Sequence, residues 1–301
     1  MTQKITFNKS RDKIAIIASA SGLENSKEKL AKFEEILGSM GFKCTHHDNI
    51  LSGDAVPYFA SSKTQRVDEL RQAISDPNVR IIWSFRGGYG AAEVGFDCLD
   101  LRLTADKILI GFSDITALFP LFEQKFNMPA IHGSVVTALL PGALKENMLT
   151  NIIEVLSGRD TDIVLEPLGA QQNNTITGKI TGGNLTVICS LIGTDLQIDI
   201  DEKIIFLEDV GEKGYRVHRC LLQMYQAGLF AKAKAVIFGD FIKSDDNLDI
   251  SLTDFCRQYL TIPVFMAKGV GHDIINYPVV IGGEAQIKNN ILTVKSPFEL
   301  I

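Results

Sequence analysis

The chain has 301 residues, enough for one large or two medium domains, and 46% of them are hydrophobic against 22% charged, so a substantial core is expected. A net charge of −6 without a Lys/Arg run longer than two gives none of the electrostatic footprint of a nucleic-acid binder, and it argues equally against an anionic membrane surface. No apolar run approaches the ~18 residues that would cross a bilayer. The first nine residues lack the apolar stretch and small-residue cleavage site of an export signal. Five cysteines (Cys44, Cys98, Cys189, Cys220, Cys256) are scattered singly, as reduced thiols of a cytoplasmic protein would be.

The first half of the chain alternates strand and helix. Ile14 to Ala18 is a short all-apolar run, as in a parallel strand buried on both faces. Asn25 with Glu28 reads as a capping box, followed by Leu30, Phe33, Leu37 and Met40 at helical spacing and a stop at Gly41. A second strand is expected over 42–45. Val67, Leu70 and Ile74 mark the next helix, which ends at Asp76-Pro77. Strands follow at 79–84 and 107–110, a helix at 115–126, a fifth strand near 130–133 and a helix at 145–156. Repeated βα units of this kind predict a parallel sheet with right-handed crossovers. The polar stretch 169–175 reads as a domain linker. Beyond it, strands at 204–207, 235–238, 264–266 and 279–281, with a helix over 215–227, predict a second, mixed α/β domain.

Parallel sheets bind ligands at the C-terminal ends of their strands. Two unusual loops fall there: Arg86-Gly87-Gly88-Tyr89-Gly90 after the third strand and Gly111-Phe112-Ser113-Asp114 after the fourth. A serine at a strand-to-helix elbow has its hydroxyl lifted from the backbone, with a helix N-terminus behind it to stabilise negative charge. Such a serine suits a nucleophile; its alternative role is a simple N-cap. Gly88-Tyr89-Gly90 does not continue into a dinucleotide fingerprint, because the third glycine is replaced by Glu93. The better role for the glycine loop is an oxyanion hole, with Gly88 N–H and Asp114 N–H as donors, although the glycines also suit a plain turn.

A serine nucleophile needs a base. The candidates are His46, His47, His132, His218 and His272. His46 and His47 resemble surface residues, and His218 lies on a helix. His132 ends a strand near the elbow. His272 sits in the glycine-flanked loop Lys268-Gly269-Val270-Gly271-His272-Asp273, suited to presenting an imidazole to another domain. Glu208, straight after the apolar run 204–207, is the candidate acid that fixes the tautomer of the base.

With these motifs assembled, the chain resembles the LD-carboxypeptidase family of serine peptidases, which includes muramoyl-tetrapeptide carboxypeptidases and microcin C immunity proteins. The resemblance rests on Arg86 to Gly90, Gly111 to Leu118, His132-Gly133, Gly182-Gly183-Asn184-Leu185, Leu207-Glu208-Asp209 and Gly271-His272. It implies a Rossmann-like N-terminal domain (1–168), a smaller C-terminal domain (169–301) and an active site in the cleft between them. Ser113 would be the nucleophile, Glu208 the acid, His272 the base, and Gly88 with Asp114 the oxyanion hole. Arg86 would meet a substrate carboxylate, with Tyr89, His132 and Asn184 as further substrate-binding candidates. The resemblance implies a homodimer that uses no metal or other cofactor. The expected substrate is a murein tetrapeptide, cut between the L-centre of its diamino acid and the terminal D-alanine. The chain departs from the family near Asn276-Tyr277-Pro278, where the proline is displaced. An immunity-type amidase acting on a peptidyl-nucleotide is the alternative. The only tryptophan, Trp83, lies in an expected strand and 169–177 holds no aromatic residue, so the murein reading is favoured. A non-catalytic ligand-binding relative is a second alternative.

Overall fold

The structure, a computed structural model, describes residues 4–48, 50–53, 56–145, 147–168 and 175–301. The first half contains β1 (Ile5–Phe7), β2 (Lys13–Ile17), α1 (Ser26–Ser39), β3 (Lys43–Thr45), α2 (Lys63–Ser75), β4 (Val79–Ser84), α3 (Ala91–Phe96), β5 (Ile108–Gly111), β6 (Ala130–His132), α4 (Val136–Leu139) and α5 (Met148–Leu156). Next come β7 (Thr161–Pro167), β8 (Ile176–Asn184), α6 (Leu185–Ser190), β9 (Lys203–Val210), α7 (Gly214–Gln226), β10 (Ala235–Ile242) and α8 (Leu248–Tyr259). The chain closes with β11 (Val264–Ala267), β12 (Val279–Ile281), β13 (Glu284–Lys288), β14 (Ile291–Val294) and β15 (Phe298–Leu300).

The fold is mixed α/β. Six strands form one sheet in the order β12-β6-β5-β4-β2-β3, with every neighbouring pair parallel except β12 on β6. Its central strands are apolar throughout because both faces are covered: Ile14 to Ile17, Ile81 to Trp83 and Ile108 to Ile110 are all buried. Seven strands close a barrel in the order β10-β11-β7-β14-β13-β8-β9. Within it β8, β9, β10 and β11 run parallel, and β7, β13 and β14 close the ring antiparallel. The closed barrel goes beyond the mixed second half expected from sequence. Its antiparallel strands alternate buried and exposed residues, as strands with one wet face do.

The two halves share elements. β7 joins the barrel ahead of residue 168, while β12, from late in the chain, extends the first sheet, and β15 pairs with β1 near the N-terminus. Of the expected linker, 169–175, residues 169–174 lie outside the described residues.

Two local expectations are corrected. Asn25 sits in the left-handed region (φ 56°) and makes no side-chain cap, so the capping box is at α2 instead, where Ser62 and Gln65 bond reciprocally. The expected helix over 115–126 is a 3₁₀ turn, Ser113–Leu118, followed by a π turn, Leu121–Lys125. Pro120 lies between them and has no N–H with which to continue a regular ladder.

Candidate active site

β5 ends at Gly111, Phe112 is fully extended, and Ser113 then takes φ +63°, a left-handed conformation that costs a non-glycine residue about 1–2 kcal/mol. That backbone inversion is the sharp elbow expected at a nucleophile. It is crowded from one side by the glycine loop. A Cβ on Gly87 would stand 2.8 Å from Ser113 Cβ and 3.0 Å from its Oγ, so only glycine lets the loop approach the hydroxyl. Gly88 has φ +116°, and a Cβ there would collide with the Ser21 hydroxyl.

Polar side chains clamp the loop in place. Ser21 N–H donates to Gly87 O at 3.2 Å, and Tyr89 N–H donates to Ser21 Oγ at 3.2 Å. Ala91 N–H, at the start of α3, donates to Asp114 Oδ2 at 2.8 Å. The residue after Ser113 thus fastens the elbow to the end of the glycine loop. Burial pushes the Asp114 carboxyl up to about 6, opposed by the Ala91 N–H and by Arg66.

Arg66, which sequence reasoning missed, is fully buried beneath the loop. It donates to Ser19 O, Gly90 O and Ser61 O at 3.0–3.1 Å, pairs with Glu93 and lies 4.1 Å from the centre of the Phe59 ring. Its guanidinium is divided between three backbone carbonyls and the Glu93 carboxylate. The signal available in sequence was Glu93 itself, a carboxylate where a dinucleotide site would need glycine.

The barrel contributes the other groups. Glu208 lies inside β9 rather than after a shorter strand, and is completely buried. Its Oε2 is 2.6 Å from His272 Nδ1, in the loop after β11. Burial alone would raise the Glu208 pKa. The charge and hydrogen bond of His272, together with His132, outweigh it and hold the carboxyl near 2, so it is ionised at neutral pH. Its other oxygen, Oε1, stands 3.7 Å from His132 Nε2, close enough for an ion pair but too long for a hydrogen bond. His132 is itself buried against Phe112, Phe119 and Phe206.

Phe112 joins the two sides of the site. Its ring centre is 4.7 Å from that of His272, so the residue preceding Ser113 touches the imidazole that Glu208 orients. With Nδ1 facing Glu208, Nε2 is the nitrogen left to exchange a proton. Ser113 thus meets the Gly87 side of the glycine loop, while Phe112 beside it packs on the His272 imidazole that pairs with Glu208.

The remaining expected residues have these places. Arg86 is half-buried and donates to Gly22 O at the rim of the same loop. Tyr89 is 61% exposed and stacks on Phe59, with ring centres 5.8 Å apart. The Asn184 side chain is buried and doubly engaged: it caps α6 through Val187 N–H at 3.1 Å and donates to Asp209 at 2.9 Å. Its backbone N–H meets Thr116 Oγ1 at 3.0 Å, tying β8 to the turn behind Ser113. His46 pairs with Glu34 at 2.8 Å, and His218 packs against Phe255 and Tyr259. None of the described helices is long and apolar enough to cross a membrane.

Comparison with known proteins places this geometry in a family. The profile of the LD-carboxypeptidase N-terminal domain matches residues 14–133, and that of the LD-carboxypeptidase C-terminal domain matches residues 177–287. The chain belongs to the LD-carboxypeptidase family. It is 30% identical to a murein tetrapeptide carboxypeptidase of Pseudomonas aeruginosa, over 78% of this chain and 81% of the relative. It superposes on a muramoyltetrapeptide carboxypeptidase from Oxalobacter formigenes with a TM-score of 0.76 at 25% identity, covering 94% of this chain and 97% of the other. An MccF-like protein from Bacillus anthracis shares the fold, with a TM-score of 0.80 at 22% identity and 98% coverage of both chains.

Proposed function

We propose that the protein is a serine LD-carboxypeptidase that removes the terminal D-alanine from murein tetrapeptides. The observation that carries this reading is the short His272–Glu208 pair with Phe112 packed on the imidazole, directly before a serine held in an elbow conformation. Family membership and the named activity of the relatives support the substrate class.

In this reading His272 Nε2 accepts the Ser113 hydroxyl proton as Oγ attacks the carbonyl of the diamino-acid residue. Gly88 N–H and Asp114 N–H stabilise the developing oxyanion, worth about 3–4 kcal/mol per donor. His272 then delivers the proton to the leaving amine of D-alanine. Water, deprotonated by the same imidazole, hydrolyses the acyl-enzyme and regenerates Ser113. Glu208, ionised throughout, holds the Nδ1–H tautomer and stabilises the imidazolium.

Arg86 is assigned the free carboxylate that an exopeptidase must recognise, and Tyr89 an exposed contact at the rim. His132 and Asn184, both buried, act through Glu208 and the β8 junction rather than on substrate. The division into a Rossmann-like nucleophile domain (1–168) and a domain carrying Glu208 and His272 (169–301), with the cleft between them, belongs to the same proposal. So do a cytoplasmic location, in keeping with five unpaired cysteines, and a homodimer.

Mass spectrometry of an incubation with a murein tetrapeptide ending in D-alanine tests it. Loss of one alanine with wild type and none with Ser113→Ala is expected. Equal cleavage by both would move the nucleophile elsewhere. No cleavage by wild type, with turnover of an aminoacyl-nucleotide instead, would replace the substrate class.

A further inference from the structure

Lys145 lies between α4 and α5, is 3% exposed, and has no part in the chemistry above. Its ammonium donates to the carbonyls of Gly271 (3.1 Å) and Asp273, with that of Ile275 at 3.5 Å. Gly271 and Asp273 are the residues immediately before and after His272. An ammonium carries three donors on a compact head, and here they converge on one turn of backbone.

The rest of the loop is braced from within the second half of the chain. Gly269 N–H donates to Asp240 Oδ1 at 3.2 Å, Asp240 N–H to Val270 O at 2.8 Å, and Gly271 N–H to Asn276 Oδ1 at 2.9 Å. The two carbonyls that flank His272 are instead held from the first half, by Lys145. The same ammonium lies 5.7 Å from the centre of the Phe112 ring, the residue preceding Ser113 and in contact with His272.

We propose that Lys145 is a positioning residue, whose ammonium pins the His272 loop to the Ser113 side of the site so that imidazole and hydroxyl meet in register. The proposal rests on the triad reading and adds a group that ties its two halves together.

The charged groups facing Lys145 are Asp240 on β10, Glu208 on β9 and Asp273 in the loop itself. Burial lowers its pKa to about 8, and those three carboxylates oppose the shift. The ammonium therefore persists below about pH 8 and is lost above it. Burial likewise pushes Asp240 up to about 6. Activity should consequently fall on the alkaline side as the clamp loses a donor and its charge.

Lys145→Met keeps the length of the side chain and removes both charge and donors. Steady-state kinetics on the tetrapeptide between pH 6 and 10 should show kcat reduced about 100-fold, the penalty of a displacement near 1 Å, with KM within about threefold. The alkaline limb near pH 8 should disappear. Lys145→Arg, which keeps charge and donors, should recover part of kcat. Independently of the tetrapeptide, fluorophosphonate labelling of Ser113 should be slowed in Lys145→Met and partly restored in Lys145→Arg. A folded Lys145→Met with kcat and labelling rate within twofold of wild type would overturn the proposal and leave Lys145 a structural brace.

Should Lys145→Met fail to fold, Lys145→Gln, which keeps a donor without the charge, takes its place. Its labelling of Ser113 by a fluorophosphonate should be slowed at least about tenfold, and a rate within twofold of wild type would overturn the clamp. Labelling does not use the tetrapeptide, so failure of the substrate assignment is separable from failure of this one.

Discussion

In the proposed mechanism the Ser113 elbow and the His272 loop solve one problem, holding a reactive group still, by opposite means. The elbow is local. A buried apolar strand, an extended Phe112 and a left-handed serine follow within six residues, and the glycine loop with its Arg66 support closes over them. Here precision comes from strain enforced by packing. The His272 loop is relaxed and non-local, held by a hydrogen bond to Glu208, 64 residues away, and by one from Lys145, 126 residues from Gly271. Strain suits a group that must stay exposed, whereas long-range polar ties suit an imidazole that must accept and release a proton.

That contrast breaks first at the serine. Ser113→Ala should lower kcat/KM by about 10⁴–10⁶-fold, as loss of a nucleophile does. Ser113→Gly should be equally inactive yet no less stable, because glycine adopts φ +63° freely. Thermal unfolding of the glycine variant checks this, and a loss of more than about 1 kcal/mol would mean the elbow is not strained.

Glu208→Gln should cost about 10⁴-fold in kcat with little change in KM, through loss of tautomer control. The Glu208 carboxyl is held below its ordinary range, so its contribution to stability is present above about pH 4.5 and is lost as the pH falls towards 2. Glu208→Gln should therefore unfold with a shallower pH dependence than wild type over that interval. An equally steep acid transition in both would show that the pair adds nothing to stability.

Gly88→Ala tests the oxyanion side. Its Cβ would strike Ser21 and its φ would be unfavourable, so the donor should turn away and kcat should fall about 10²–10³-fold. Activity within tenfold of wild type would remove Gly88 from the hole.

The smallest effect concerns stability. Burial lifts Glu69, under the first sheet, to about 7, despite a hydrogen bond from Ala18 N–H at 2.8 Å. A carboxyl raised in the folded state keeps a proton that the unfolded chain releases, so it makes stability fall as the pH rises from about 4.5 to 7. Glu69→Gln should flatten this fall by about 1–3 kcal/mol in unfolding experiments across that range. An unchanged slope would assign the pH dependence elsewhere.

The same contrast explains what the sequence disclosed. The elbow and glycine loop were legible because their signals are contiguous: an apolar run ending in Gly-Phe-Ser-Asp, and five residues bearing three glycines. The α2 capping box at Ser62-Gln65 was equally local and was overlooked, while the similar pattern at Asn25-Glu28 forms no cap. The strands β7 and β13 carry readable alternation, but the closure of the barrel does not. It depends on pairings such as Val294 with Thr161, across more than a hundred residues. Arg66 and Lys145 left no mark either. A lysine or arginine in sequence reads as surface, and only the fold shows which carbonyls surround it.

The most direct test of the central claim is to mix wild-type protein with murein tetrapeptide, quench in acid within one turnover and map the peptides by mass spectrometry. A tripeptidyl ester on the fragment bearing Ser113, formed with one equivalent of free D-alanine and absent in Ser113→Ala, is the expected result. Release of D-alanine without an adduct on Ser113, or with an adduct on another residue, would contradict it.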